Sequence, residues 1–508
     1  MDAIDQLKED VRQGRIDVDR LIGVIVSLQR QLEAARQRIE ELEKKLGGPG
    51  APSPAKVDQP FSMRAEEKRQ RDRNKNKLKL SRRGRRGRLT TADKLKLAER
   101  TVPCFPDGVP EKDCWLSHTR PVWRLEQGRA VPIAYQIYRG PGNRYGQIPG
   151  VLGRAEFGME IVIEIAYFVY VMGLSFDKVC SMLQFLQNLP LGKTQVDVLL
   201  RRLSRHWQHE FDVLCTLLAN SLVVHTDETS WSINSVWAFL SEKARVLFFG
   251  VHKDGDTLKE ILDPETFAGL VISDDAAVYA NFNQSQKCWA HVLRKAIKLT
   301  LQEPNHQEYR QFTDHLLEIY RKACRVQRDG RLSAAGRLRQ VAVLDDEILK
   351  LCASMWVLEL PPLEESPENN YRLLCNEVMW LMLDQQLFTF VTAEPVTQPN
   401  GVSQPVSGTN NEAERTLRGP AQARATGRTN KATVGARRQT IIVSVLESLR
   451  LYLPTFTLAS VTAEIQRWWH SGQSCFTRLL KKLKIAPPTP ATESTPSLLD
   501  KLLPLPDG

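Results

Sequence analysis

An α/β fold, a mixed sheet covered by helices, follows from the order of apolar runs in this chain. Three observations predict it. Past Ala219 the long helical periodicity gives way to short apolar runs of strand length. Helical stretches follow the third and fourth of these runs, as they do where neighbouring strands lie parallel. Two runs, Leu222 to Thr226 and Gly269 to Ser273, are each followed at once by an aspartate, Asp227 and Asp274.

The elements before the sheet are helical. Residues 1–47 carry a heptad seam, with Val18, Ile25, Leu32, Ile39 and Leu46 at a and Leu21, Leu28, Ala35 and Leu42 at d. That spacing predicts a coiled-coil dimerisation helix, which Gly47-Gly48-Pro49-Gly50 stops. Residues 48–90 read as a linker and a disordered basic arm, because residues 64–88 hold thirteen Lys/Arg against three acids. Residues 91–150 read as a small region holding Cys104, Cys114 and His118. Residues 151–219 predict helices at Glu156–Met172, Ser175–Gln187 and Lys193–Leu218. The last two, joined by Asn188-Leu189-Pro190-Leu191-Gly192, have the form of a helix-turn-helix DNA reader or of plain helical packing.

Residues 220–300 are the first part of the sheet, with further strands at Val236–Leu240 and Val246–Val251. Helices are expected at Thr257–Leu262 and from Gln286 to Leu301. Residues 301–409 read as a helical insertion, broken at Asp329-Gly330 and near Pro361-Pro362 and Pro367, ending in a polar loop at 394–409. Residues 410–470 return to helix, one from Asn410 that Gly419-Pro420 ends and one at Gln439–Tyr452. Residues 471–508 are a tail, Pro/Thr/Ser-rich and loose after Ile485.

The length of 508 residues allows about three domains of ~150 residues. The net charge of +11 is not spread evenly. The arm holds a local +10, and an acid-free run at 415–440 holds +7 through Arg415, Arg418, Arg424, Arg428, Lys431, Arg437 and Arg438. The remainder is slightly acidic. A polyanionic partner, nucleic acid, fits this pattern. The longest apolar stretch, Ile161–Leu174, contains Glu164 and falls short of the ~20 residues a membrane span needs. The acidic start of the chain lacks a signal core, and nine scattered cysteines fit reduced thiols, so a cytoplasmic protein is expected.

Asp227 and Asp274 at one sheet edge, joined by a helical acid at Glu412 or Glu414, make a set of hard oxygen ligands. Converging carboxylates repel unless cations neutralise them, and Mg²⁺ or Mn²⁺ suits such ligands. Two such ions about 3.5–4 Å apart stabilise the attacking and leaving oxygens of phosphodiester displacement. Cys288 and His291, three apart on a helix, are either a zinc pair or a packed, hydrogen-bonded pair beside the site.

Four motifs occur in order: His225-Thr226-Asp227-Glu228-Thr229-Ser230-Trp231, Ser273-Asp274-Asp275-Ala276-Ala277-Val278-Tyr279, Cys288-Trp289-Ala290-His291, and Asn410-Asn411-Glu412-Ala413-Glu414-Arg415. The chain resembles the bacterial insertion-sequence transposases of the IS-sixty-six type, well over 150–470 and loosely over 1–47. The resemblance implies an RNase H-like core with an Asp-Asp-Glu triad, a helical insertion before the Glu, and an N-terminal coiled coil. By position the triad is Asp227, Asp274 and Glu414. Family members usually follow the second Asp with Gly-Tyr; Asp275-Ala276 stands here, which leaves Asp275 a rival ligand. Glu412 and Glu414 lie about 200° apart around a helix, so only one faces the metals, and Glu414 is the choice, with Glu412 toward solvent. Many relatives carry a zinc-binding Cys-x-x-Cys region. Cys104, Cys114 and His118 depart from that spacing and lack an evident fourth ligand, so the resemblance makes residues 91–150 a degenerate zinc-binding region.

The expected activity is metal-dependent cutting of element ends and joining to target DNA, with two Mg²⁺ or Mn²⁺ ions. Arg82, Arg83, Arg85, Arg86 and Arg88 of the arm and Arg415, Arg418 and Arg424 near the triad Glu are the expected DNA contacts. The resemblance also implies small accessory proteins. A catalytically silent DNA-binding regulator and an RNase H-like nuclease without strand transfer are the alternatives.

Overall fold

The computed structural model describes residues 90–356, 366–489 and 496–504. The expected coiled coil, the linker, the arm with Arg82, Arg83, Arg85, Arg86 and Arg88, and the break near Pro361-Pro362 lie outside the described residues.

Helix α1 (Thr91–Lys96) opens on a capping box between Thr90 and Asp93. Strands β1 (Arg100–Cys104), β2 (Trp115–Glu126) and β3 (Arg129–Arg139) form a sheet in the order β1-β3-β2. The β2–β3 turn is Gln127-Gly128, with φ of 50° and 77°, the two positive values that a tight hairpin turn takes. The region read as a possible zinc site is therefore a small sheet. Cys104 sits in its core with Val122, Ile133 and Ile137.

Arg124 of β2 donates to Glu160 at 2.7 Å, tying this sheet to α2 (Met159–Ala166), which runs on into a wider π turn at Tyr167–Val171. Helix α3 (Phe176–Gln187) is capped by Ser175 and closed by Asn188 in the left-handed conformation. The long helix expected from Lys193 is two, α4 (Lys193–His206) and α5 (Gln208–Ala219). They part at Trp207, whose backbone leaves the helical region while its side chain is wholly buried.

The main sheet comprises β4 (Val223–Ser230), β5 (Ser235–Ser241), β6 (Arg245–Val251), β7 (Leu270–Ser273) and β8 (Ser285–Lys287), in the order β6-β5-β4-β7-β8. β4, β5 and β6 pair antiparallel; β4, β7 and β8 pair parallel. Helix α6 (Gly255–Ile261), capped by Asp254, joins β6 to β7. Two corrections follow. β4 runs on past Thr226 to Ser230, paired with β5 throughout, so Asp227 lies within the strand and not after it. The segment read as helix from Gln286 begins as a strand, and α7 (Trp289–Gln302) starts only after it.

Alternation along the strands assigns the two faces. Val224, Trp237, Phe239, Phe248 and Val271 pack on one side with α2, α4 and α5. Val223, Leu270 and Ile272 pack on the other with α7 and the insertion helices α8 (Gln307–Arg328), α9 (Ala334–Cys352) and α10 (Pro367–Leu383). Pro367 stands in the first turn of α10, where a missing N–H costs nothing. The loop at 394–409 contains a short pairing of β9 (Val396–Thr397) with β10 (Ser403–Gln404).

Helix α11 (Asn411–Ala425) lies over β4 and β5. It does not stop at Gly419-Pro420. Leu417 is packed against Val236 and Ala238, and Arg424 donates to the Ser230 carbonyl at 2.7 Å, so tertiary contacts hold the helix on both sides of Pro420. Helix α12 (Thr433–Tyr452) begins six residues before Gln439 and covers the edge strand β6. The backbone N–H groups of Arg245, Leu247 and Phe249 donate to the hydroxyls of Ser448, Ser444 and Thr440 at 2.9, 3.0 and 3.0 Å. Four residues of helix rise about 6 Å and two of strand about 6.6 Å, so the two repeats match and the exposed edge is satisfied. Helices α13 (Leu458–Ser471), α14 (Cys475–Lys482) and α15 (Leu498–Leu502) complete the described part. The end of the tail is not loose, since Leu499 and Leu503 are buried in the main core. No helix of the described residues is long and apolar enough to cross a membrane.

Candidate active site

Three elements bring acids to one place. β4 and β7 pair in parallel with His225 opposite Ile272, so two residues further on Asp227 stands level with Asp274. Val223 and His225 alternate with Val224 and Thr226, which puts Asp227 on the face that α7 and α11 cover. Glu414 enters from the first turn of α11.

The electrostatics record this convergence. Burial, together with the charges of Glu228, Asp274 and Glu414, pushes the Asp227 carboxyl up to about 7, against an opposing hydrogen bond from the Glu228 N–H. Asp275 is exposed, and its charge acts on Lys287 and Glu377. Asp274 accepts from the Ala276 N–H at 3.1 Å, a turn that needs no glycine at 275. Glu412 points elsewhere, its side chain 44% exposed and paired with Arg245.

The raised Asp227 carboxyl has a consequence for stability. Below pH 3.8 folded and unfolded chains both hold this proton; between there and about 7 the folded chain holds it more firmly. Stability therefore falls as pH rises through that window, by on the order of 2–4 kcal/mol. Melting in chelator should drop between about pH 4 and 7, and a saturating divalent cation should remove the drop. A flat profile in chelator would show that Asp227 is not so crowded.

Residues outside the predicted set complete the surroundings. Lys287, buried on β8, donates to Ser273 Oγ at 3.2 Å and to the Asp274 carbonyl at 3.1 Å. Burial lowers its ammonium, with Asp275 and Asp274 opposing. Glu228 points to the other face, where Lys253 pairs with it at 2.7 Å and the Tyr279 hydroxyl donates to it. Asn410 is wholly buried; its side chain donates to the Thr226 carbonyl at 2.7 Å, and its backbone N–H donates to Cys288 Sγ at 3.1 Å. It thus links the strand of Asp227, the helix of Glu414 and the start of α7.

Cys288 and His291 do lie beside the site. Burial raises the Cys288 thiol, opposed by the N–H groups of Asn410, His291 and Ala290. His291 Nδ1 is 3.7 Å from Glu414, and Arg294 donates to both oxygens of Glu414 at 2.7 and 2.8 Å. Cys104, Cys114 and His118 are not brought together. Among the described residues they form no group of potential ligands; Cys114 Sγ donates to the Pro110 carbonyl, and His118 Nδ1 meets Ser117.

The basic run at 415–440 splits. Arg437 pairs with Asp500, and Arg438 with Asp197 and the Tyr170 hydroxyl, which burial pushes up to about 12. These two are internal ties, not surface charge. Arg415 and Arg418 are exposed on α11, while Arg424 is exposed but spent on Thr229 and Ser230. Arg415 and Arg428 line a groove of about 960 Å³ with Tyr170, Met172 and Phe176.

No curated protein matches the chain. The Transposase IS66 family matches residues 154–438, more than half of the chain, a span that includes Asp227, Asp274 and Glu414. The chain belongs to the Transposase IS66 family.

Proposed function

We propose that this protein is a DNA transposase of the Asp-Asp-Glu type, which cuts the ends of an insertion sequence and joins them to target DNA. The observation that carries this is the placement of Asp227, Asp274 and Glu414 on β4, β7 and α11, near enough that the charges of Asp274 and Glu414 add to burial and Glu228 in raising the Asp227 carboxyl. The mixed five-stranded sheet with β4 at its centre supports reading the core as RNase H-like.

The donor set fits hard divalent cations, Mg²⁺ or Mn²⁺: all-oxygen, anionic, and self-repelling without a counter-charge. When bound, the cations supply Lewis acidity to the attacking and leaving oxygens. The chain's own residues do the positioning. Asp227 and Asp274 are set level by strand register, and Lys287 holds the Asp274 backbone in place. Glu414 closes the set from the helix above, steadied by Arg294. Arg415 and Arg418 present exposed charge one turn apart beside Glu414, suited to the phosphates of the scissile strand.

The test incubates the full chain in Mg²⁺ with DNA carrying the terminal repeats that flank its gene. Nicked ends followed by joined products are expected. Nicks alone would make it a nuclease, and binding without cleavage a silent regulator.

The two basic segments should separate by readout. Replacing Arg82, Arg83, Arg85, Arg86 and Arg88 with Ala should weaken DNA binding and flatten its salt dependence, by ~0.9 in log–log slope for each phosphate left unneutralised. Replacing Arg415 and Arg418 should slow single-turnover cleavage more than it weakens binding. Equal loss in both assays for both sets would contradict this division.

A further inference from the structure

Cys288, His291 and Glu414 bring one ligand atom each to within 4.8 Å of one another, the one such group of three among the described residues. Their chemistry differs from the carboxylate set beside them. A thiolate, an imidazole and a carboxylate are the mixed donors of a zinc-class ion, whereas Mg²⁺ takes oxygen alone. A tetrahedral zinc with bonds of about 2.0–2.3 Å spaces its ligand atoms about 3.5 Å apart.

The ligands are also held as a site. Cys288 is fixed at the start of α7 by its N–H donating to the Ser273 carbonyl at 2.9 Å. Its sulfur accepts from the Asn410 N–H, a bond that suits a thiolate as well as a thiol. His291 Nδ1 is buried with no hydrogen-bond partner, facing Glu414. The His291 side chain as a whole is 32% exposed, although this nitrogen is buried. The present partner of Glu414, Arg294, is 53% exposed, so their pair is screened by solvent.

We propose that Cys288, His291 and Glu414 form a binding site for one zinc-class ion, with a fourth position left for water. The binding claim stands on these three residues alone. Its consequence rests on the function proposed above: Glu414 belongs to both sets, so an ion held by Cys288 and His291 withdraws it from Asp227 and Asp274 and stops cleavage.

The test titrates Co²⁺, as a visible stand-in for zinc, into the full chain freed of metal by chelator. One ion per chain with a near-ultraviolet thiolate-to-cobalt band is expected. The band should vanish in Cys288→Ser, and His291→Ala and Glu414→Gln should weaken binding by more than about 100-fold, since even partners that only orient a ligand cost 10–100-fold. Melting curves of each variant separate ligand loss from misfolding. No band, or a band that survives Cys288→Ser in a folded chain, overturns the site.

Zinc added to a Mg²⁺ cleavage assay should inhibit the natural chain, and whatever activity Cys288→Ser retains should no longer respond; inhibition that persists in Cys288→Ser overturns the shared-ligand claim. A cobalt band without any Mg²⁺ cleavage would fail the transposase reading and leave the metal site standing. Cleavage without a band would do the reverse.

Discussion

Asp227→Asn should abolish Mg²⁺-dependent end cleavage, by at least about 10³-fold, while raising the melting temperature of the metal-free protein. On the proposed function, the first effect is loss of an anionic ligand from a phosphoryl-transfer centre, where roughly 4 kcal/mol of transition-state stabilisation corresponds to a thousandfold in rate. The second follows from the crowding. Glu228, Asp274 and Glu414 all act against ionisation of Asp227, as does its burial. An amide of the same shape removes that repulsion and still accepts the Glu228 N–H bond. The variant should also lose the fall in stability between about pH 4 and 7 expected of the natural chain in chelator. DNA binding should persist, because the exposed cations are untouched. A variant that is both more stable and inactive is hard to explain by misfolding, so the pair of readouts identifies a functional carboxylate. Undiminished cleavage would remove Asp227 from the triad.

The acids are more legible in the sequence than the elements around them. Asp227 and Asp274 each follow an apolar run, and parallel pairing of those runs suffices to bring them level. The extension of β4 to Ser230 is not legible, because Asp227-Glu228-Thr229-Ser230 is polar and is held in the strand by β5. β8 is three polar residues, Ser285-Gln286-Lys287, yet all are buried. Gln286 bonds to the backbone of Leu387 and Phe390, about a hundred positions away, which no local pattern reports.

Proline at 420 reads as a helix end, and packing on either side overrides it. Thr440, Ser444 and Ser448 look like polar interruptions of an apolar helix until β6 is seen to lie against them. The positive charge of 415–440 is plain in the sequence, but Asp197 and Asp500, which neutralise Arg438 and Arg437, come from elsewhere in the chain. Glu412 and Glu414 diverge as helix geometry requires, Glu412 to the exposed side, where it also pairs with Arg245, and Glu414 to Arg294.

Asn410→Ala should cost about 1–3 kcal/mol of stability and lower cleavage by roughly 100-fold, through the position of Glu414 and not through any contact with DNA. Asn410 stands in the same motif as Glu414, and nothing but the structure distinguishes what it does. Its side-chain N–H donates to the carbonyl of Thr226, the residue before Asp227, at 2.7 Å. Its own backbone begins the helix of Glu414, and the Gly408 carbonyl just before it accepts from the Trp289 N–H at 3.0 Å. The separation between Asp227 and Glu414 is therefore set through one wholly buried residue.

Removing the amide leaves the Thr226 carbonyl without that donor and loosens α11 against β4. A displacement of about 1 Å at a reacting centre is enough for a hundredfold loss. A positioning role predicts a particular signature: the Mg²⁺ concentration for half-maximal cleavage rises, kcat falls, and the KM for DNA is little changed. Asn410→Asp keeps the volume but offers an acceptor where Thr226 requires a donor, and it adds a fourth anion near the three. It should be at least as damaging as alanine. Full activity with Asp at 410, or a loss confined to DNA affinity, would show that Asn410 does not set the distance between the carboxylates.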